Sequence, residues 1–225
     1  LDLYSVISLT TAVSLAILAL SLGLIWGFGG ILCFGQTAFF GIGAYAYAIA
    51  ALIFGGSTGA ILAALIVAAA SAALLGYFMF YGRLSDVYLA VITLTVTLIL
   101  YSVIRRTSGP EYKIGIAKLG GFNGINVPPI NYPWDATQFL YPEHVFYVAM
   151  VALLLAYFLC VWVTKSHFGR VSMSIRENEL RSELLGYDVR LYKLCLSTIG
   201  GAIPGLAGIM FANATGIITQ DVFNP

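Results

Sequence analysis

Charged residues are scarce in this sequence. Only 9% of its 225 residues are charged and 60% are hydrophobic, whereas an ordinary soluble domain carries roughly a quarter charged residues. Between Asp2 and Arg83 there is no Asp, Glu, Lys, Arg or His at all. This deficit excludes a soluble fold, and it places the charge-free stretch in lipid or against other helices.

Groups that carry enzyme chemistry are equally rare. The three cysteines, Cys33, Cys160 and Cys195, lie far apart in apolar segments, and they match neither a disulfide framework nor a Cys-x-x-Cys motif. His144 and His167 are isolated near the ends of predicted helices. No phosphate loop of the Gly-x-x-x-x-Gly-Lys-Ser/Thr type is present. The sequence therefore predicts no catalytic residue, no cofactor, no metal site and no ATP hydrolysis by that mechanism.

Long apolar runs make up most of the chain. A helix needs about 20 mostly apolar residues to cross about 30 Å of hydrocarbon, and run length with flanking charge predicts six spans. They cover residues 4–28, 39–54, 61–81, 87–104, 145–164 and 194–212. The predicted fold is an all-α, polytopic transmembrane helical bundle that forms one domain over residues 1–225. Because the chain begins with Leu1 and stops just after an apolar run, we expect further helices at one or both ends.

Glycines also recur four residues apart within these apolar runs. Small residues at this spacing let helix backbones approach closely, which drives helix association in lipid. The pairs are Gly23 and Gly27, Gly55 and Gly59, and Gly201 and Gly205. We expect each pair to mark a helix contact.

A denser glycine run surrounds Gln36. Residues 27–45 hold six glycines, which weaken a continuous helix, so we expect a broken or re-entrant span there. Membrane helices break only where protein or a watery cavity satisfies the freed backbone groups, and transporters commonly bind solute at such breaks. The candidate translocation residues are Gly30, Gln36, Thr37, Phe39, Phe40, Gly43 and Tyr45. Alternatively, Gln36 ties two helices together by a hydrogen bond, and the aromatic residues either gate a path or merely pack.

Positive charge concentrates in residues 165–193. This loop holds six Lys or Arg residues, and because short cytoplasmic loops collect such residues, we place it in the cytoplasm. Residues 107–144 then lie outside, where prolines and aromatic residues indicate an ordered cap at the membrane interface. The basic residues Arg105, Arg106, Lys113 and Lys118 would also lie outside, which conflicts with the same rule.

A short helix followed by a glycine stop is predicted within residues 174–193. Leu180 and Leu184 share a face, Glu177 and Arg181 have the spacing of a helical ion pair, and Gly186 suits the left-handed conformation that ends helices. Such a helix is too short to be stable alone. It requires a partner surface, which a soluble protein beneath the membrane would provide. The alternative is a solvated loop whose charges only fix the topology.

Two motifs together resemble the permeases of branched-chain amino acid and urea ATP-binding-cassette (ABC) importers, of the LivM type. The first is residues 27–45, GFGGILCFGQTAFFGIGAY, in which Cys33 stands where that family usually has Ser. The second is IRENE at residues 175–179, followed by LGY at 185–187, YKL at 192–194 and GLAG at 205–208. The resemblance spans most of the chain.

The resemblance implies a permease subunit in the bacterial inner membrane, which moves branched-chain amino acids, urea or a similar small polar solute into the cytoplasm. It implies two ATPase subunits, a second related permease as heterodimer partner, and a periplasmic solute-binding protein that docks on an outer surface including residues 120–141. Coupling to the ATPase would involve Arg176, Glu177, Asn178, Glu179, Glu183, Leu184, Leu185 and Gly186.

Other functions remain open on the residues alone. A passive channel or secondary transporter for a small neutral solute is the main alternative. The predicted spans contain no ionisable residue, which argues against ion-coupled transport but not against a channel. A structural membrane subunit is a third class. The sequence does not identify the solute.

Overall fold

The computed structural model describes residues 2–82, 84, 86–107, 111–132 and 135–224. Six of the helices in this part of the chain are long and apolar enough to cross a membrane, which confirms the predicted all-α polytopic bundle. They are α1 (Leu3–Leu22), which continues as a π-helical turn (Gly23–Phe28), α2 (Gln36–Phe54), α3 (Ser57–Tyr81), α4 (Asp86–Arg106), α5 (Pro142–Lys165) and α8 (Val189–Thr215). The short helices α6 (His167–Glu177) and α7 (Glu179–Leu184) lie between α5 and α8.

Helices α2 and α8 form the centre of the bundle. Their most apolar windows are 61% and 56% buried, whereas those of the other spans are 22–28% buried. The helix α2 packs against both α3 and α8, and α1 packs against α5 and α8. The outer helices leave large apolar side chains exposed, for example Leu62 and Ile66 on α3, as expected of faces that meet lipid or another membrane protein.

Small residues set the close approach of the central helices. A Cβ atom on Gly43 would lie 2.4 Å from the carbonyl oxygen of Gly205, so the backbones of α2 and α8 touch. On its other side, α8 meets an alanine stripe of α3, since a Cβ on Gly201 would lie 2.2 Å from that of Ala72. The prediction of close helix contact is therefore confirmed at Gly201 and Gly205.

The other two glycine pairs make no such contact with another helix. A Cβ atom added at Gly23, Gly27 or Gly55 would meet nothing within 4 Å, and one at Gly59 would meet only the Phe54 ring at 3.7 Å. The prediction was wrong there because spacing alone does not show which face of a helix is covered.

The predicted break in the glycine run is confirmed. The chain leaves the helix after Phe28, and residues 29–35, which we call the glycine segment, are not helical. Within it Gly30 has a φ of 66°, which favours glycine because a Cβ atom is strained in this conformation. The span after the break begins at Gln36 rather than at Phe39, so Gln36 starts α2 instead of lying in the middle of the break.

The predicted short helix that stops at Gly186 is present as α7, but it begins only at Glu179, and the residues before it belong to a separate helix, α6. The chain folds as α6 and α7 with a break at Asn178, whose side chain accepts a hydrogen bond of 2.9 Å from the backbone N–H of Arg181. Short polar side chains favour this capping role over a helix interior. Glu177 and Arg181 therefore lie on different helices and are not a helical i,i+4 pair. The predicted stop at Gly186 is confirmed, with a φ of 91°.

Among the described residues, three two-stranded sheets form at the end of the bundle that lies opposite α6 and α7. The strand β1 (Lys113–Ile114) pairs with β2 (Ala117–Lys118), β3 (Ile125–Asn126) with β6 (Ile217–Ile218), and β4 (Asn131–Tyr132) with β5 (Asp135–Phe139), all antiparallel. At the same end the backbone N–H of Ser57, at the start of α3, donates to the side chain of Asn131 at 2.7 Å. The predicted cap thus has ordered structure, although Pro133 and Trp134 lie outside the described residues.

The chain after α8 turns back onto the bundle. A 3₁₀ turn (Gln220–Phe223) follows β6, and its Phe223 is only 2% exposed. The ring of Phe223 stacks on Tyr45 with 5.6 Å between ring centroids. It also fills the space beside Gly41, where a Cβ atom would lie 2.3 Å away. The segment of residues 217–224, which we call the return segment, is thereby fixed against α2.

Candidate functional site

The glycine segment runs into the interior of the bundle. The backbone N–H of Phe34 donates to the side-chain oxygen of Thr93 on α4 at 3.2 Å, and a Cβ on Gly35 would lie 2.9 Å from Thr93. Since Thr93 lies seven residues into α4, the contact is about 10 Å from the helix start at 1.5 Å per residue. The helix α2 therefore begins inside the bundle, where the Thr93 side chain satisfies one of the backbone groups that the break sets free.

Gln36, the first residue of α2, lies at a junction of three helices. Its side-chain oxygen accepts from the Ser21 hydroxyl of α1 at 3.2 Å, and the same hydroxyl lies 2.5 Å from the carbonyl oxygen of Gly200 on α8. The hydroxyl has one proton, so it donates to one of these oxygens at a time. The interpretation of Gln36 as an interhelical tie is therefore supported.

One end of the Gln36 amide is left without a partner. The residue is 6% exposed, and among the described residues its Nε2 atom has no hydrogen bond of normal geometry, although the Cys33 thiol is close enough to interact with the Gln36 side chain. An unpaired buried amide costs about 1–3 kcal/mol. Such a group is unusual in a folded protein. The structure therefore supports the interpretation of Gln36 as a group that meets a solute as well as its interpretation as an interhelical tie.

The side chain of Thr37 also lacks a hydrogen-bond partner. Its hydroxyl oxygen is buried and has no partner in the described part of the chain. Threonine and serine in helices normally bond the carbonyl four residues earlier, as Thr10 does at 2.8 Å and Ser14 at 2.9 Å. Thr37 is the second residue of α2, so no preceding helical turn offers that carbonyl.

The remaining candidate translocation residues make packing contacts. Phe39 is 6% exposed and faces Gly201, Phe40 packs on Phe211 with 5.4 Å between ring centroids, and Gly43 touches α8 as described above. The Tyr45 ring stacks on Phe223, while its hydroxyl has no described partner. The unpaired polar groups near the start of α2 are thus Gln36 and Thr37.

The glycine segment meets α6 through Gly30 and Arg176. The guanidinium of Arg176 donates to the backbone carbonyl of Gly27, and a Cβ atom on Gly30 would lie 2.6 Å from the Arg176 Cγ atom. The two groups of candidate residues, which are far apart in sequence, are in direct contact here. Nothing in the sequence pattern indicated this contact.

The helix α7 exposes an apolar surface. Leu180, Leu184 and Leu185, which we call the leucine surface, are 68%, 81% and 67% exposed. The same short helix is tied to its neighbours by polar contacts, since Ser182 lies 3.2 Å from Ser174 of α6 between their hydroxyl oxygens. Exposed leucines on a short, well-anchored helix are typical of a protein-binding surface.

A groove lies beside the leucine surface. It has a volume of about 570 Å³ and is formed by α7, α8 and the end of α3. Its lining includes Phe80, Glu179, Glu183, Tyr187, Arg190 and Lys193. Glu179 forms an ion pair with Lys193, and the Arg190 guanidinium carbon lies 6.0 Å from the centre of the Tyr81 ring. Of the other predicted coupling residues, Glu183 lines this groove, whereas Glu177 and Asn178 are exposed but are not part of its lining.

The sequence assigned no site role to three polar residues, although one of them, Lys193, belongs to the YKL motif. Ser21 and Thr93 are buried at 0% and 1% exposure, and Lys193 pairs with Glu179. A signal existed for Ser21, because Thr10, Ser14 and Ser21 follow a helical spacing on one face of α1. Thr93 carries a similar signal, because Thr93 and Thr97 are four residues apart and both are buried, although the exposed Thr95 lies between them.

Comparison with known proteins gives a consistent picture. Residues 4–224 match the family described as "Branched-chain amino acid transport system / permease component". The chain is 30% identical over 230 residues to the high-affinity branched-chain amino acid transport system permease protein LivM of Escherichia coli K12, covering 92% of this chain and 52% of that protein. The same protein of Salmonella typhimurium LT2 gives the same figures.

A more distant relative is the probable branched-chain amino acid transport permease protein LivM of Methanocaldococcus jannaschii. It is 28% identical over 109 residues, which is 47% of this chain and 30% of that protein. No solved structure matches the chain. The chain spans about half the length of the bacterial relatives that it matches.

Proposed function

The chain belongs to the family of permease components of branched-chain amino acid transport systems, and from this premise we propose that it is the permease subunit of an ABC importer. It is a multi-pass membrane protein, and the described residues include six helices that are long and apolar enough to cross a membrane. The proposed activity is the movement of a small polar solute, a branched-chain amino acid or urea, from periplasm to cytoplasm across a bacterial inner membrane. ATP hydrolysis is assigned to separate subunits.

The observation that carries the proposal is the contact between Arg176 and the glycine segment. The leucine surface offers a docking site for a soluble ATPase subunit, and Arg176 on the adjacent α6 touches the chain that leads into α2. A displacement of α6 and α7 would therefore act directly on the start of α2, where Gln36 has an unpaired amide. A transporter needs such a connection between its energy source and its solute path.

The proposed topology follows from which elements share an end of the bundle. The leucine surface, the groove beside it and residues 27–30 lie at one end, which we assign to the cytoplasm because residues 165–193 concentrate Lys and Arg. The three small sheets lie at the other end, which we assign to the periplasm. There they would form the docking surface for a solute-binding protein. Arg105, Arg106, Lys113 and Lys118 lie on this side, and binding a partner protein would give them a role other than fixing topology.

The proposed assembly contains two ATPase subunits and a second, related permease. The exposed apolar faces of the outer helices leave room for that second permease as well as for lipid. The pair of permeases would enclose the solute path, and the solute-binding protein would supply most of the specificity. The permease would then bind the solute only weakly.

The test of the proposal is co-purification from the native membrane. The full-length protein is isolated in mild detergent with its associates, and ATPase activity is measured for the wild type, Leu184→Ser and Leu191→Ser. Leu184 belongs to the leucine surface, while Leu191 is a 47% exposed leucine at the same end on α8. We expect an ATPase to co-purify with the wild type and with Leu191→Ser, and to be lost or less active with Leu184→Ser.

Two other outcomes would reject the proposal in different ways. A protein that purifies without any ATPase and passes urea in liposomes is a channel. If the ATPase is present and Leu184→Ser behaves like Leu191→Ser, the leucine surface is not the docking site.

A further inference from the structure

A groove runs along the outside of the bundle between α1 and α5. Its volume is about 730 Å³, and we call it the α1–α5 groove. The groove opens toward the bilayer, because Ala19 on one side of it is exposed and Tyr157 on the other is 50% exposed. Neither the family match nor the relatives assign a role to it. Its lining includes Ala16, Ala19, Gly23, Tyr157, Val161 and Thr164.

The α1–α5 groove is apolar because of the residues that each helix contributes. The helix α1 presents small residues, and a Cβ atom added at Gly23 would meet nothing within 4 Å. The helix α5 contributes larger side chains such as Leu153 and Leu154. The Thr164 hydroxyl donates to the backbone carbonyl of Val161 at 3.0 Å, so its proton is already used. Because an empty groove forfeits dispersion contacts, it favours an aliphatic occupant.

The length of the groove matches one leaflet of a bilayer. It begins at Ala16 of α1 and Leu153 of α5, each at the middle of its span, and ends at Phe28 and Thr164, close to the ends of those spans. From Ala16 to Phe28 the helix rises about 18 Å at 1.5 Å per residue, whereas the whole hydrocarbon core is about 30 Å thick. A helix of a second subunit would cross both leaflets, but a lipid acyl chain occupies only one.

Basic side chains lie at the mouth of the groove. Lys165 follows Thr164, and it lies one helical turn after Val161 on the same face of α5. The Arg170 guanidinium reaches the same place, since it donates to the backbone carbonyl of Lys165 at 3.0 Å. Both side chains are exposed, and within the described part of the chain neither forms an ion pair. Such cations suit the phosphate of an anionic lipid.

Two tryptophans indicate the depth of this mouth. Trp26 and Trp162 are 58% and 70% exposed, and each lies two residues before the last groove residue of its helix, Phe28 or Thr164. Tryptophan is enriched where the hydrocarbon meets the lipid headgroups. The groove therefore ends at headgroup level, and Lys165 lies just beyond it on the side of the water.

We infer that the α1–α5 groove holds one acyl chain of an anionic phospholipid, with the phosphate headgroup at Lys165 and Arg170. The lipid belongs to the cytoplasmic leaflet, whose surface is negatively charged. From the proposed function the inference takes only that this end of the bundle faces the cytoplasm. It does not depend on which solute is transported.

The test is photolabelling of the full-length protein with its native associates in phosphatidylcholine nanodiscs. These contain a small fraction of phosphatidylglycerol with a diazirine at the end of one acyl chain, and labelled peptides are identified by mass spectrometry. We expect label in the wild type near Ala16 and Leu153. Ala19→Leu should lower it about tenfold, because the added side chain keeps roughly two methylene groups of the lipid out of the groove.

Ala12→Leu is the matched control. It makes the same change at an exposed position of α1 that lies outside the groove, so the label near Ala16 should stay at its wild-type amount. Alanine and leucine differ little in helix propensity, and both variants should therefore melt at the wild-type temperature. Loss of label in an Ala19→Leu protein that melts normally would support the inference.

The headgroup is tested by comparing two photoactivatable lipids. Phosphatidylglycerol should label the groove about fivefold more than phosphatidylcholine with the same acyl chain. Lys165→Gln should lower the labelling by phosphatidylglycerol about fivefold, the usual effect of one basic residue near an anionic surface. Arg181→Gln removes an exposed basic side chain of α7 at the same end and should leave the labelling unchanged.

Two results would overturn the inference. One is a wild-type groove that takes no label from either lipid, which would mean that a protein helix fills it. The other is equal labelling by the two lipids that Lys165→Gln does not alter, since the headgroup would then play no part. Co-purification of the ATPase tests the proposed function separately, so either proposal can fail while the other stands.

Discussion

The guanidinium of Arg176 donates a hydrogen bond to the backbone carbonyl of Gly27, and its aliphatic stem packs on Gly30. These residues lie 149 positions apart. The contact joins α6, which is next to the leucine surface, to the segment that enters the bundle before α2. It is a direct contact between the helix beside the proposed ATPase docking surface and the segment that precedes Gln36.

Replacing Arg176 by alanine should uncouple the two ends of this route. We expect Arg176→Ala to keep the ATPase attached and active, because the leucine surface is unchanged, and to lower solute uptake per ATP by about fivefold, which corresponds to a coupling free energy of ~1 kcal/mol. The measurement is uptake and ATP hydrolysis in the same proteoliposomes. The wild-type ratio in Arg176→Ala would contradict the proposed role.

Arg170→Ala is the matched control for this experiment. Arg170 lies on the same helix and is exposed, but it bonds to the carbonyl of Lys165 at 3.0 Å rather than to the glycine segment. The ratio of uptake to hydrolysis should therefore stay at its wild-type value in this variant. An equal loss in both variants would indicate an effect of surface charge.

Gly208→Ala should destabilise the centre of the bundle. A Cβ atom there would lie 2.0 Å from the Phe40 carbonyl oxygen and 3.0 Å from the Ala44 nitrogen, both backbone atoms that cannot move alone. Overpacking of this kind costs about 1–3 kcal/mol or more. The thermal midpoint in detergent should fall clearly relative to the wild type.

Gly59→Ala provides the comparison for Gly208→Ala. The added atom would lie 3.7 Å from the Phe54 ring, an ordinary contact, and alanine favours a helix over glycine by roughly 1 kcal/mol. Its thermal midpoint should stay level or rise. If both variants melt alike, the contact between α2 and α8 is looser than the backbone distances indicate.

The ion pair of Glu179 and Lys193 should affect docking more than stability. The two side chains are 52% and 13% exposed, and exposed pairs contribute about 0–1 kcal/mol. Glu179→Lys places two like charges together, so α7 should move away from α8 and ATPase attachment should weaken. We expect little change in melting temperature. The measurement is the amount of ATPase that co-purifies at low and high salt.

Reversing both charges tests whether the pair itself matters. The double variant Glu179→Lys with Lys193→Glu restores opposite charges, and attachment should recover at least in part. No recovery would mean that Glu179 or Lys193 also acts outside this pair, since Lys193 has other interactions within the chain.

The sequence predicted those features that depend on local properties. Apolar run length set the six spans, and the glycine density of residues 27–45 set the break, because both act within one or two helical turns. Asn178 shows the limit of this approach. The charges around it favour a continuous helix, but its side chain caps α7, and capping by asparagine was a signal present in the sequence.

Contacts between distant residues could not be predicted from the sequence. The hydrogen bond of Arg176 to Gly27 depends on how six helices assemble, and no periodicity in either segment encodes it. The same holds for Phe223, which docks beside Gly41 although the two residues are far apart in sequence. Gln36 could be identified from the sequence because it is a polar residue among apolar neighbours. A charged residue in a polar surface loop does not differ from its neighbours in this way.

Gly30→Ala should show how tightly the glycine segment is held by α6. Two effects add at this position. The φ of 66° is strained for alanine by about 1–2 kcal/mol, and the new Cβ would lie 2.6 Å from the Arg176 Cγ atom. Gly55→Ala isolates the first effect, because Gly55 has the same φ of 66° and nothing within 4 Å of an added Cβ. We expect Gly30→Ala to be the more destabilising of the two.

A double-mutant cycle with Arg176→Ala isolates the second effect. Removing the arginine stem removes the steric clash, so Gly30→Ala should cost less in the Arg176→Ala background than in the wild type. The difference should exceed ~0.5 kcal/mol, the usual limit of additivity for residues that do not touch. Gly55→Ala should cost the same in both backgrounds. Additive effects of Gly30→Ala and Arg176→Ala would mean that the two residues are not in contact in the membrane, and α6 would then have no direct hold on the segment that leads into α2.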